Sequence, residues 1–82
     1  MSQEFFHKYG PGSIKERMGR LSNPNATAEH ITKALNDEHW SVRRAAIRHP
    51  NATVDHITKA LDDENEYVRE AAKQRLGELN GL

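Results

Sequence analysis

The stretch NATAEHITKAL occupies residues 25–35, and NATVDHITKAL repeats it at residues 51–61. Sliding the chain by 26 residues aligns residues 25–50 with residues 51–76, and 15 of these 26 positions are identical. The same shift places ERMGRLSNP (residues 16–24) under VRRAAIRHP (residues 42–50), so a degenerate half-repeat precedes two full repeats. A period in this range is typical of solenoids, in which each unit buries its apolar face only against neighbouring units.

Each full repeat carries the signals of a first helix. Pro24 and Pro50 end the preceding element, because proline cannot donate a backbone hydrogen bond. Thr27 and Thr53 are suitable N-caps that follow these prolines. The apolar spacing then predicts helices that end near residues 35 and 61. Their buried stripe is expected to comprise Ile31, Ala34 and Leu35 in the first repeat and Ile57, Ala60 and Leu61 in the second.

A second helix follows in each repeat. Asp37 and Asp63 are predicted as its N-caps, and Glu66 three residues after Asp63 completes the pattern of a capping box. Small and branched apolar residues then recur on one face, which allows neighbouring helices to approach closely. The predicted buried face consists of Val42, Ala45, Ala46 and His49, and of Val68, Ala71 and Ala72 with Arg75 or Leu76.

The half-repeat adds one further helix. Ser13 and Glu16 form a capping-box pattern after a Gly-Pro-Gly turn, which predicts a helix from residue 14 to about residue 21. The chain is therefore predicted to be an all-α single domain of about five helices. Its expected divisions are an N-terminal arm (1–12), a degenerate half-repeat (13–24), repeat 1 (25–50), repeat 2 (51–76) and a C-terminal tail (77–82).

Composition excludes several kinds of function. The chain has no cysteine, so disulfides, thiolate catalysis and cysteine metal sites are excluded. The five histidines lack the local spacing of a zinc site, and no glycine-rich phosphate loop is present. Every candidate catalytic pairing is a helix cap or a repeated position. We therefore expect no enzyme activity, no cofactor and no metal.

Charge and hydropathy patterns bear on partners and location. No apolar run reaches the length of a membrane span, and the first residues lack the layout of a signal peptide, so a cytoplasmic protein without membrane contact is expected. The net charge is zero, divided as +2 in residues 1–24, +1 in residues 25–50 and −3 in residues 51–82. This profile differs from the strongly cationic profile of a dedicated nucleic-acid binder.

Two segments resemble a known family. LNDEHWSVRRAA (residues 35–46) and LDDENEYVREAA (residues 61–72) resemble the second half of HEAT-type repeats, with Val-Arg five and six positions after the aspartate. Together with HPNAT (residues 49–53), these segments are similar to the variant leucine-rich repeat and to small proteins of large tailed bacteriophages. A phage-encoded protein of this kind would act in the cytoplasm of the host. The resemblance implies a short right-handed α-solenoid of about two and a half repeats, a scaffold that binds proteins and less often nucleic acids. The cysteine cluster of some variant leucine-rich repeats is absent, so no iron–sulfur cofactor is implied.

Arg43 and Arg69 occupy equivalent repeat positions, and Arg17 precedes them at the same spacing. One interpretation is a basic ladder that contacts phosphates. The other is a structural ladder, implied by the HEAT resemblance, in which the arginines pair with Asp37 and Asp63 of their own or the neighbouring repeat. The second interpretation is favoured, because charges at repeat interfaces are normally paired.

The positions at which the repeats disagree are the candidates for recognition. Trp40, Arg44 and Ile47 share one helical stripe, and the second repeat has different residues there. Tryptophan and arginine beside an aliphatic residue is the composition of an interface anchor. The predicted partner-binding residues are Trp40, Arg44, Ile47, Arg48, Phe5, Phe6 and Tyr67. In the alternative, the stripe faces the preceding half-repeat and is covered by Phe5, Phe6 and Tyr9.

Three functions remain open from the sequence. The first is a non-enzymatic module, such as an adaptor or inhibitor, that binds a larger protein partner. The second is a structural subunit, either of a homo-oligomer or of a virion, in which the basic N-terminal part of one copy contacts the acidic C-terminal part of the next. The third is nucleic-acid backbone binding through Lys15, Arg20, Arg44 and Arg48.

Overall fold

The computed structural model describes residues 13–81, which form an all-α fold without a strand among them. The helices in this part of the chain are α1 (Ile14–Leu21), α2 (Ala28–Leu35), α3 (Trp40–Arg48), α4 (Val54–Ala60) and α5 (Glu66–Leu79). The predicted five-helix, all-α architecture is confirmed. Helix α5 continues three residues beyond Leu76 and so enters the predicted tail. None of the helices within residues 13–81 combines the length and apolarity needed to cross a membrane.

Three helix starts follow the predicted capping chemistry. Ser13, Thr27 and Thr53 are the N-caps of α1, α2 and α4, and each accepts a backbone N–H from the third helical residue. In α1 the Glu16 carboxylate accepts the backbone N–H of Ser13 in return, as predicted. In α2 and α4 a histidine takes the place of the glutamate, because its ring Nδ1 accepts the backbone N–H of the capping threonine. These reciprocal bonds satisfy donors that a helix start leaves without a partner.

The predicted caps of the other two helices were wrong. His39 caps α3 and Asn65 caps α5, two residues after Asp37 and Asp63. The predicted box between Asp63 and Glu66 is accordingly absent. The aspartates instead accept the backbone N–H of residues 39 and 65 at 2.9 Å, which turns the chain just before each helix. Their carboxylates are also bound by arginines twenty positions earlier, Arg17 in α1 and Arg43 in α3, a long-range contact that local sequence patterns do not show.

The helices pack in two layers. Helices α1, α3 and α5 lie side by side and form the second-helix layer, whereas α2 and α4 form the first-helix layer. Helix α2 packs on α3, and α4 packs on α5, so each pair is one repeat. The core between the layers includes the fully buried residues Ile31 and Ile57 from the first helices and Val42, Ile47 and Val68 from the second helices.

The prediction that Ile47 is a partner-binding residue on the surface is wrong. Ile47 is completely buried and packs in the core, so it is not an exposed anchor for a partner. The Nε of Arg75 in α5 donates to the Ile47 carbonyl at 3.2 Å, which places this part of α3 against the next repeat. Lys73 occupies the equivalent position of α5 and is exposed. The repeats therefore differ at this position because Ile47 of α3 is buried in the stack, whereas Lys73 of α5 is exposed to solvent.

The loops that precede α2 and α4 contain the repeated sequence segment, and they stack on each other. His49 Nε2 lies 2.9 Å from the carbonyl oxygen of Asn23, its counterpart in the preceding loop region. The Asn51 side-chain amide donates to the carbonyls of Pro24 and Ala26 at 3.0 and 2.8 Å. Ala26 itself is buried, which allows the loops to approach closely. The repeated Asn-Ala-Thr segment is thus a structural element of the stack.

Candidate interaction surface

Arginines of the second-helix layer join successive repeats. Arg17 donates from Nε and Nη2 to the two carboxylate oxygens of Asp37, at 2.6 and 3.1 Å. Arg43 repeats this arrangement with Asp63 at 2.9 and 3.1 Å. The Nη1 of Arg43 also donates to the Asp37 carbonyl at 2.8 Å. Arg43 therefore binds its own repeat and the following repeat with one guanidinium group.

These contacts decide how the ladder residues can act. Arg43 is buried, and both pairs are bidentate, which is the strong geometry for an arginine–carboxylate contact. Arg69, the next position in the register, donates to the Asp63 carbonyl at 2.7 Å and has no ion pair within residues 13–81. A guanidinium held inside the stack presents no donor fork to an external phosphate. The ladder stabilises the stack.

The opposite side of α3 presents a different pair of arginines. Arg44 and Arg48 are exposed and lie one helical turn apart, and Trp40 precedes them by one further turn. Within the described residues, neither Arg44 nor Arg48 makes an ion pair or a side-chain hydrogen bond. Two guanidinium groups on one helix face are therefore available to an external partner.

Aromatic side chains lie beside this arginine pair. The rings of Trp40 and Tyr67 have centroids 5.1 Å apart at an interplanar angle of 35°. The ring of His39 also stacks with the indole of Trp40, with centroids 6.0 Å apart. Trp40 is half-buried, whereas Tyr67 is 55% exposed. Trp40 therefore contacts α5 of the following repeat through the ring of Tyr67.

The charge changes sign between the neighbouring helices. Glu70 occupies in α5 the repeat position that Arg44 occupies in α3, and both are exposed. Glu70 lies 3.6 Å from Lys73 in a solvent-exposed pair. We name the exposed side of these two helices the α3–α5 surface and define it by Trp40, Arg44, Arg48, Tyr67 and Glu70. Phe5, Phe6 and Tyr9, which were predicted beside Trp40, lie outside the described residues.

The four described histidines are occupied by backbone contacts. Each accepts a backbone N–H at its ring Nδ1: His30 from Thr27, His39 from Ser41, His49 from Asn51 and His56 from Thr53. A ring nitrogen that accepts cannot carry a proton, so these contacts match the tautomer that carries its proton on Nε2. Within residues 13–81 no three side chains of the metal-binding types converge. Sequence reasoning missed this capping role, although the signal was present: a histidine three residues after each threonine N-cap.

The comparisons with known proteins bear on the first repeat. The HEAT repeat family model matches residues 29–49, which span most of α2 and the whole of α3. No curated protein and no solved structure matches the chain. The match and the paired, stacked helices agree, and the segment that carries Trp40, Arg44 and Arg48 is a HEAT-like repeat.

Proposed function

We propose that this protein is a non-enzymatic interaction module that binds a larger protein partner through the α3–α5 surface. HEAT repeats generally mediate protein–protein interaction. The observation that carries the proposal is that Arg44 and Arg48, on the helix that carries Trp40 of the Trp40–Tyr67 pair, are exposed and have no side-chain partner among residues 13–81. Tryptophan, tyrosine and arginine are the residues that most often dominate binding energy at protein interfaces.

The location of this surface follows from what the repeats share. Identical positions supply the N-caps of α2 and α4, much of the core and the arginine–aspartate ladder, so these side chains are occupied inside the stack. Trp40, Arg44 and Arg48 differ from their counterparts in the second repeat, and Arg44 and Arg48 are exposed on α3 beside the half-buried Trp40. Side chains that the architecture does not use are the ones available for recognition.

The proposed mode of action is occlusion or bridging of a partner, as in an inhibitor or adaptor. Catalysis receives no support from the described histidines, because Nδ1 of each already accepts a backbone N–H. The similarities to variant leucine-rich repeats and to phage proteins are part of the same proposal and would place the module in the cytoplasm of a bacterial host.

Self-assembly by head-to-tail stacking is less well supported. A following copy would have to stack on α5, where Lys73 replaces the buried isoleucine of α3. It would also need an aspartate for Arg69, yet the residue that corresponds to Asp37 in the half-repeat is Pro11. Light scattering over a range of concentrations tests this alternative, and a concentration-dependent rise in mass would favour assembly.

Nucleic-acid binding also fits less well than protein binding. Arg20, one of the four predicted phosphate contacts, lines a pocket with Lys33 and Asp37 between α1 and α2 and is not on the α3–α5 surface. Glu66 and Glu70 are exposed on α5, which packs against α3, and would oppose a phosphate backbone that crossed both helices.

Site-specific photo-cross-linking in the cells that naturally make the protein tests the proposal. A photoreactive amino acid is placed at exposed Gln74, one helical turn after Glu70 in α5, or, as the control, at exposed Thr58 in α4. We expect a protein adduct from position 74 and none from position 58. Adducts from position 58 alone, or an absence of protein adducts at position 74, would contradict the proposed surface.

A further inference from the structure

We infer that the partner segment is of mixed charge, with carboxylates toward α3, a cationic side chain toward α5 and an apolar side chain over Trp40 and Tyr67. This inference rests on the proposed function, because it names the chemistry of the ligand for the same α3–α5 surface. It follows from the exposure, contacts and repeat positions of the charged residues on both helices.

The α3 side is built to receive two carboxylates. Arg44 and Arg48 are four residues apart on one helix face, so their attachment points are separated by about 6 Å. Carboxylates at positions i and i+4 of a helix have a matching separation, and those at i and i+2 of an extended segment are about 7 Å apart. Each guanidinium can bind a carboxylate with two parallel hydrogen bonds. An acidic segment in either conformation therefore matches this spacing.

The α5 side selects against a uniform polyanion. Glu70 is 65% exposed, and its one ion pair among the described residues is with Lys73, whose side chain is 64% exposed and whose amine lies 3.6 Å away. Such an exposed pair is weak, so Glu70 can exchange its cation for one supplied by a partner. Packed helices lie about 8–10 Å apart. This distance is within about one Debye length at physiological salt, so Glu70 and the α3 arginines act on the same bound segment.

The aromatic pair provides the contact between the two charged sides. Tyr67 belongs to α5 but its ring lies 5.1 Å from the ring of Trp40 in α3, so the pair bridges the helices. Tyr67 is 55% exposed, and its ring offers an apolar face to a ligand between the arginines and Glu70. A phosphate backbone has no apolar side chain to place there, whereas a peptide has one.

Selection from a library of displayed random peptides tests the inference. The full chain is immobilised, and the enriched peptides are compared with the unselected library. We expect enrichment of peptides that combine two acidic residues, one basic residue and one large apolar residue. The best peptide should lose at least tenfold affinity with Arg44→Glu and about threefold or more with Glu70→Lys. Lys59→Glu, an exposed charge reversal in α4, should change its affinity by less than twofold.

Two contrary results separate the failure of the inference from that of the proposed function. If enriched peptides require Tyr67 but carry no acidic bias and bind the Arg44→Glu variant normally, the charge assignment is wrong and the interaction surface stands. If no enriched peptide depends on Tyr67 or Arg44, both are wrong. If the protein binds single-stranded or duplex DNA at physiological salt, and this binding depends on Arg44 and Arg48, the ligand of the surface is a nucleic acid and the inference of a peptide ligand is wrong. Circular dichroism of each variant confirms that the helices are retained.

Discussion

Removal of Arg43 tests the physical account of the stack most severely, because this side chain contacts two repeats at once. Arg43→Ala deletes a bidentate contact with Asp63 and a hydrogen bond to the Asp37 carbonyl. The side chains of Arg43 and Asp63 are only 10% and 13% exposed. Breaking a buried ion pair by removal of one partner costs about 3–5 kcal/mol. Because Asp63 keeps a bond from the Asn65 N–H, we expect about 3 kcal/mol.

Arg69→Ala is the matched control. Arg69 occupies the same repeat position as Arg43, but among the described residues its side chain makes a single hydrogen bond, to the Asp63 carbonyl. Loss of a single such bond costs about 1 kcal/mol. A chain of this size has a total free energy of unfolding of about 4–12 kcal/mol, so a difference of about 2 kcal/mol between the two variants is large.

Urea denaturation followed by circular dichroism at 222 nm measures this difference. With a slope of about 1 kcal/mol per M for a small domain, the midpoint of Arg43→Ala should lie about 2 M below that of Arg69→Ala. The double variant Arg43→Ala with Asp63→Ala should lose less than the sum of the single changes, because the charge left alone in each single variant is gone. Equal midpoints for the two arginine variants would refute the role assigned to the cross-repeat pair.

Three further predictions concern other parts of the fold. Gly19→Ala should raise the free energy of unfolding by about 0.5–1 kcal/mol, because Gly19 is exposed within α1 and a methyl group there meets no atom within 4 Å; a lower urea midpoint would contradict this. Ile47→Ala should cost about 2–5 kcal/mol in thermal or urea unfolding, whereas Lys73→Ala at the equivalent exposed position should change stability by about 0.5 kcal/mol or less. Imidazole ¹⁵N chemical shifts at neutral pH should identify His49 and His56 as tautomers protonated at Nε2, and protonation at Nδ1 would exclude the backbone bonds described above.

Much of the fold was predictable because it depends on local sequence signals that occur in both repeats. The 26-residue period identified the stacked unit, and the threonine and serine N-caps lie where the sequence predicts them. The helix bounds of α1 and α2 also agree with the predicted ends. These features involve residues within four positions of one another, so sequence spacing alone contains the relevant geometry.

The errors arose where distant residues decide the local structure. Asp37 and Asp63 have the composition of N-caps, but arginines twenty positions earlier bind their carboxylates and the helices begin later. Ile47 lies on the same stripe as Trp40 by helical spacing, yet it is fully buried, and Arg75 of α5 donates to its carbonyl. A periodic pattern shows which residues share a face, but the neighbouring repeat decides which part of that face reaches solvent.

The placement of recognition on the second-helix layer is the central claim, and amide chemical-shift mapping tests it directly. The isotope-labelled full chain is titrated with the best enriched peptide. We predict that shifts concentrate at the Trp40 indole and at the amides of Arg44, Arg48, Tyr67 and Glu70, and that α2 and α4 remain unchanged. Tyr67→Ala should abolish the shifts, while Val54→Ala, a similarly exposed apolar residue in α4, should preserve them. Shifts centred on α2 and α4, with Tyr67 unaffected, would contradict the claim.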